Sequence, residues 1–176
     1  IEEHRIVGTV VLVSRDGEPV YHRAAGLADR ENNVPMEEDT IFRLTSVSKP
    51  VVTAAAMRLV EMGILDLDAP ATNWLPDFKP TFGEKAPVIT LRHLLSHMSG
   101  LGYRAYEGDK GPYTDAGVQD GGFGTGPTLK EMIERLASAP LLAEPGTTWI
   151  YGLGIDVVGR VIEKATNLPL EVAVRD

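Results

Sequence analysis

Ser46-Val47-Ser48-Lys49 sets a hydroxyl and an amine three residues apart, at the start of an apolar run that continues to Met62. On a helix, positions i and i+3 share a face, so Ser46 and Lys49 point the same way. A serine hydroxyl is a weak nucleophile until a base stands within hydrogen-bond reach. A lysine partly desolvated against a helix sheds its proton more readily and can serve as that base. The chemistry open to such a pair is acyl transfer through a serine ester. The same four residues also fit a helix cap followed by a solvated lysine, so the surrounding chain has to decide.

The elements that must position this pair are legible from pattern. Residues 51–62 form an apolar, small-residue helix closed by Gly63, and Pro50 is harmless in the first turn, where its missing N–H has no partner to lose. Residues 6–14 (IVGTVVLVS) are β-branched and almost continuously apolar, which suits a strand buried on both faces. The Asp16-Gly17 turn and residues 20–26 complete an antiparallel hairpin. No third strand is convincing; residues 40–44 and 87–89 are short extended candidates. A lone hairpin is marginal in water. A wider sheet is therefore expected from residues beyond Asp176, and the chain reads as an incomplete domain.

Further helices are expected over a short stretch from Leu67 towards Leu75, over 91–97 capped by Thr90, and over 128–137, where Thr128 and Glu131 make a capping box. Another runs over 154–166, stopped by Asn167 and Pro169, and one more turn begins at Leu170. Between these lies a glycine-rich segment, 102–127, carrying Tyr103, Tyr106, Tyr113 and Phe123. Loops of this length are mobile or functional. The functional reading is a lid or pocket wall whose aromatic rings touch substrate. The expected organisation is a hairpin region over 1–50 leading into the nucleophile helix, then a mainly helical region over 51–176.

Composition narrows the function. The chain has 176 residues, 43% hydrophobic and 24% charged, with a net charge of −8. That balance fits an ordinary globular domain and argues against a nucleic-acid binder, which usually carries a basic face. The absence of cysteine removes disulfides, thiolate catalysis and cysteine-type zinc sites. It is compatible with a reducing cytosol, and a cytoplasmic location is expected, with a periplasmic or secreted one left open. No apolar run reaches the roughly 20 residues needed to span a bilayer. His93 and His97 stand at i,i+4, a spacing that can bind zinc, but no third ligand is evident and both read as structural. No metal or organic cofactor is expected.

Several ordered segments carry a resemblance. Phe42-Arg43-Leu44-Thr45-Ser46-Val47-Ser48-Lys49-Pro50 resembles the nucleophile segment of the serine β-lactamase-like, penicillin-binding-protein-like hydrolases. That superfamily includes class C β-lactamases, D-alanyl-D-alanine peptidases, family VIII carboxylesterases and 6-aminohexanoate-dimer hydrolases. Leu65-Asp66-Leu67-Asp68-Ala69-Pro70 looks like the segment that follows the nucleophile helix. Residues 89–101 (ITLRHLLSHMSGL) look like the family's I-T-[IVL]-R-[HQ]-L-L-x-H-x-S-G-[IL] element. Glu144-Pro145-Gly146 and Trp149-Ile150-Tyr151 look like the approach to its second catalytic motif.

The resemblance implies an α/β (α+β) fold of the β-lactamase/transpeptidase type, an antiparallel sheet flanked by helices with a mainly helical region beside it. It covers about the N-terminal half of a full member. By it, Ser46 is the acylated nucleophile, Lys49 its base or proton relay, and Tyr151 the tyrosine of the Y-x-N motif, which helps activate Ser46 and protonates the leaving group. The backbone N–H of Ser46 is one oxyanion donor, and the other comes from a C-terminal strand not found here. A separate C-terminal chain is therefore an expected partner.

Where the family's lactamases and peptidases carry Asn, Leu153 cannot hydrogen-bond a substrate amide. That favours a carboxylesterase on short acyl esters over a β-lactamase, a D-alanyl-D-alanine peptidase or an amide hydrolase. A non-catalytic ligand-binding or sensor relative is the remaining alternative. Leu153, with the four loop aromatics, is expected to line the substrate pocket. Gly152, in place of a small hydroxyl residue, is expected to loosen the backbone beside Tyr151.

Overall fold

A computed structural model describes residues 5–120 and 126–175. The backbone forms two compact units, 1–44 and 45–176, so the turn that carries Ser46 belongs with the helices rather than with the hairpin.

The first unit is a small antiparallel sheet in the order β1 (Gly8–Arg15), β2 (Glu18–Asp29), β3 (Val34–Pro35). Asp16 (φ 53°) and Gly17 (φ 86°) both take left-handed backbone, the mirror-image turn whose twist matches its flanking strands. A register shift after Val13 puts a bulge in the hairpin. The third strand, two residues long, went unread because it is too short to show a period. Asp29 makes it possible: its carboxylate accepts the backbone N–H and the side-chain amide of Asn32, closing the turn that brings Val34 and Pro35 back. Pro35, lacking an N–H, sits where a strand has a free edge. The expected two-sided burial of the first strand is not realised. Val11 and Val13 on one face and Leu12, 58% exposed, on the other all remain exposed, so neither face of this end of β1 is covered among the described residues.

In the second unit, a tight turn over Thr45–Val47 leads into α1 (Ser48–Glu61), which starts a few residues before the expected position. Thr45 is left-handed (φ 46°), which kinks the chain just ahead of the helix. The end of α1 is set by Gly63 (φ 71°): Gly63 N–H donates to Val60 O and Ile64 N–H to Leu59 O, satisfying carbonyls the last turn would leave bare. The short helix expected near Leu67 shrinks to one turn over Ala71–Asn73. The helix after Thr90 is α2 (Leu91–Leu95); Thr90 Oγ1 accepts from His93 N–H, and His93 Nδ1 accepts from Thr90 N–H.

α3 (Pro112–Asp115) is one turn inside the glycine-rich segment. α4 (Leu129–Ser138) carries the Thr128–Glu131 capping box. α5 (Gly154–Thr166) ends at left-handed Asn167, as its sequence requires, and α6 (Leu170–Ala173) follows.

α5 is the axis of this unit. Ile155, Val157, Val158, Val161 and Ile162 are buried, and α1, α2, α4 and α6 pack around them. At roughly 1.5–3 kcal/mol per buried aliphatic side chain, this face is a principal reason the helices hold together. Packing is close at the N-terminus of α5, where a Cβ on Gly154 would stand 2.6 Å from Leu94 O. That contact fixes the start of α5, and the chain entering it, against α2.

Candidate active site

Two stretches of chain packed against each other build the site. Residues 142–153 lie along residues 97–102: Leu142 N–H donates to Gly100 O and Gly146 N–H to Met98 O, both at 2.8 Å. Further along, Ile150 N–H donates to His97 O at 2.8 Å and Leu153 N–H to Gly102 O at 3.3 Å. The two stretches approach so closely that glycine is required on each. Gly100 is left-handed (φ 79°), and a Cβ there would overlap the Ala143 carbonyl. A Cβ on Gly152 would overlap the Leu101 carbonyl.

Gly152 therefore tightens the backbone beside Tyr151, contrary to the loosening its sequence context suggested. Gly152→Ala is expected to lower stability by about 1–3 kcal/mol, the usual cost of overpacking, and to lower turnover together with it. Urea denaturation midpoints and specific activity of the same preparation check this. An alanine variant of wild-type stability would show that the two stretches can separate freely.

On this scaffold Ser46, Lys49 and Tyr151 come together. Lys49 Nζ donates to Ser46 Oγ at 3.4 Å, the i,i+3 pairing expected at the head of a helix. The Ser46 hydroxyl also acts on the Tyr151 phenol, pulling it below its ordinary value. Lys49 Nζ lies 5.0 Å from the Tyr151 ring centre and 5.5 Å from that of Tyr103. The Tyr103 and Tyr151 rings stack at 5.4 Å. The Ser46 N–H stands in the opening turn of a helix, where backbone donors point outward.

The electrostatics separate the three groups. Burial alone would pull the Lys49 ammonium down, but hydrogen bonds with Tyr103 and Tyr151 outweigh it and hold Lys49 above its ordinary value. Tyr151 is pulled below the ordinary phenol value, first by the Ser46 hydroxyl and then by Lys49. Tyr103 touches the same lysine yet is raised, because burial dominates there. Of the two phenols beside Lys49, only Tyr151, on which Ser46 also acts, is moved towards phenolate.

Asp156, in the first turn of α5, is raised by burial, with the Lys49 charge partly opposing. A carboxyl raised on folding binds more protons folded than unfolded, so its ionisation opposes folding as pH rises above 3.8. Asp156→Asn is expected to raise Tm at pH 7 and to lose that advantage below about pH 4. Thermal melts of both proteins across that range check the sign. A variant less stable at pH 7 would mean that the Lys49 attraction outweighs burial.

The remaining expected pocket residues divide. Tyr103 is in the cluster, and Tyr106, 74% exposed, meets its ring edge-on at 5.8 Å. Two expectations are corrected. Tyr113 is fully buried, and its hydroxyl accepts Gly102 N–H at 2.9 Å, so it props the backbone and has no surface for a substrate. Leu153 is 1% exposed, a core residue behind Tyr151. Phe123 lies outside the described residues.

Over residues 102–120 the flanking loop is tied down by hydrogen bonds. Asp120 accepts the Arg104 and Ala105 N–H groups, Glu107 those of Tyr113 and Thr114, and Arg135 reaches Gly117 O. Asp156 and Trp149, the latter stacked on Tyr151 at 6.3 Å, were not singled out by the sequence for this cluster. An acid in a helix's first turn commonly just caps it. Among the described residues no group of three or more His, Asp or Glu is placed to hold a metal ion, and no helix is long and apolar enough to cross a membrane.

Comparison with known proteins fits this arrangement. The chain is 51% identical over 175 residues to esterase EstB of Burkholderia gladioli, covering 99% of this chain and 45% of EstB. Its fold matches that of EstCE1, a hydrolase with promiscuous acyltransferase activity, with a TM-score of 0.94 and 46% identity over 99% of this chain and 46% of that one. An octameric penicillin-binding protein homologue from Pyrococcus abyssi matches with a TM-score of 0.76 at 29% identity, over 99% of this chain and 38% of its own. The chain thus spans about half the length of these relatives or less. The Beta-lactamase family profile matches residues 1–176. With Ser46, Lys49 and Tyr151 brought together on this fold, the chain belongs to the Beta-lactamase family, with the fold of the penicillin-binding proteins and β-lactamases.

Proposed function

We propose that the protein is a serine hydrolase, a carboxylesterase acting on short acyl esters through an acyl-enzyme on Ser46. The observation that carries this is the meeting of three groups: Lys49 Nζ donates to Ser46 Oγ at 3.4 Å and lies 5.0 Å from the centre of the Tyr151 ring. The division of charge there supports it: Lys49 is held up as an ammonium, while Tyr151 is moved towards phenolate. The sequence left open which of the two is the base; this division favours Tyr151.

In the proposed cycle Ser46 Oγ attacks the ester carbonyl as its proton passes to Tyr151. Lys49 stabilises the phenolate beforehand and the serine oxygen during attack. The Ser46 N–H donates to the developing oxyanion. We propose that a second donor comes from polypeptide paired with these residues, either further along a longer chain or in a separate chain. Collapse of the tetrahedral intermediate expels the alkoxide, which takes the proton from Tyr151. Water then repeats the sequence on the acyl-enzyme, giving the carboxylic acid and free Ser46.

The likeness to esterase EstB supports ester over lactam or peptide; Leu153, turned into the core, no longer bears on that choice. The likeness to EstCE1 supports a second outcome for the same intermediate, in which an alcohol replaces water and a new ester forms. The test is hydrolysis of p-nitrophenyl butyrate by the purified protein at its full natural length, with and without a fluorophosphonate probe. Turnover that the probe abolishes is expected; neither turnover nor adduct would overturn the reading. Adding a primary alcohol should divert product from butyrate to the alkyl butyrate of that alcohol without slowing nitrophenol release.

A further inference from the structure

We propose that His97 is a positioning residue for Tyr151, gripping the peptide groups on both sides of it through its carbonyl and its imidazole. This rests on the reading of Tyr151 as the group that moves the serine proton. His97 O accepts the N–H of Ile150 at 2.8 Å, and His97 Nδ1 accepts the N–H of Gly152 at 3.4 Å. One residue thus holds the N–H groups immediately before and after Tyr151. Its ring also lies 4.7 Å from the Tyr151 ring and 5.9 Å from that of Trp149, so the phenol is braced at backbone and ring alike.

The grip depends on an unusual backbone. His97 follows α2 in the left-handed region (φ 57°), which few residues other than glycine, Asn and Asp enter readily. With it, the chain turns so that carbonyl and imidazole can both address residues 150–152.

The grip also depends on protonation. Gly152 N–H can donate only to an Nδ1 that carries no proton, so the imidazole works in its neutral form with the proton on Nε2. Burial, helped by the nearby Lys49 charge, keeps it neutral further into acid than usual. The titratable groups around it are Lys49 from α1, Tyr151 itself and Tyr103 stacked beyond it; Asp156 from α5 acts on Lys49 and Tyr103. Once His97 takes a second proton, Nδ1 becomes a donor facing a donor, and Tyr151 is released from one side.

Kinetics as a function of pH distinguish this role from plain packing. In the wild type, log(kcat/KM) should fall with about one proton as Tyr151 protonates, then with about two below the pKa of His97. His97→Asn keeps an acceptor near the Nδ1 position and tolerates left-handed backbone. It should restore kcat to within a few-fold of wild type, with the one-proton slope persisting into acid. His97→Phe keeps a ring without an acceptor. It should lower kcat about 10–100-fold, as misplacing a catalytic group does, with KM changed less than about threefold.

Spectrophotometric titration of tyrosinate, with Tyr151→Phe subtracted, gives a readout independent of turnover. Tyr151 should move back up in His97→Phe and stay low in His97→Asn. Equal pH profiles and equal Tyr151 titrations in all three proteins would overturn the proposal, as would Asn and Phe variants that fall together. If the wild type forms no adduct at Ser46, the hydrolase reading fails, while the tyrosinate titration still decides whether His97 sets Tyr151.

Discussion

Ser46→Ala is expected to lower kcat/KM for p-nitrophenyl butyrate by about 10⁴-fold or more, the loss seen when a covalent nucleophile is removed from a site that keeps its other parts. The fold should not suffer. Ser46 is exposed, no residue of its turn is buried, and exposed substitutions of this kind usually change stability by about 0.5 kcal/mol or less. The variant also tests the electrostatics. The Ser46 hydroxyl is the largest influence holding Tyr151 down, so removing it should raise the Tyr151 titration even though Lys49 remains. Circular dichroism, Tm and tyrosinate titration of the same preparation separate these effects. A variant that keeps more than about a tenth of wild-type kcat/KM would place the acyl group elsewhere.

The second large effect belongs to Tyr151→Phe. The substitution removes one oxygen and keeps the ring that packs on His97, Tyr103 and Trp149. Loss of a positioned proton-transfer group costs about 10²–10⁴-fold in rate, and that range is expected in kcat. The pH dependence carries more information than the magnitude. In the proposed cycle the active form pairs a Tyr151 phenolate with a Lys49 ammonium. The rate should therefore rise with pH through the lowered Tyr151 value and fall again only above the raised Lys49 value. Tyr151→Phe should abolish the rising limb. It should also lower Lys49, which loses one of its two phenol partners. If the variant kept the rising limb with only a reduced amplitude, Lys49 would be the base and the division of charge at the site would have been misassigned.

Much of this site is written locally. Ser46 and Lys49 are three residues apart, so helix geometry alone joins them, and the stop at Asn167-Pro169 is a local backbone matter that the structure reproduces. What stayed hidden depends on partners far along the chain. Tyr103, Tyr106 and Tyr113 look alike in a glycine-rich segment, yet only Tyr113 is drawn inside, by the Gly102 N–H. Gly152 looks permissive in its own neighbourhood, but the Leu101 carbonyl, which leaves no room for a Cβ, lies fifty residues earlier. Leu153 looked like a pocket residue because it follows Tyr151 so closely. The start of α5 turns it inward, against a core its sequence does not show. His97 was legible as a motif residue and illegible as a clamp, since its grip on residues 150 and 152 exists only once the two stretches lie side by side.

The most direct measurement is peptide mapping by mass spectrometry after brief reaction of the full natural protein with a fluorophosphonate probe. A single phosphonylated residue is expected, Ser46, with labelling much slower in Tyr151→Phe and absent in Ser46→Ala. Modification of any other residue, or an unmodified Ser46 in a protein that hydrolyses p-nitrophenyl butyrate, would contradict the account.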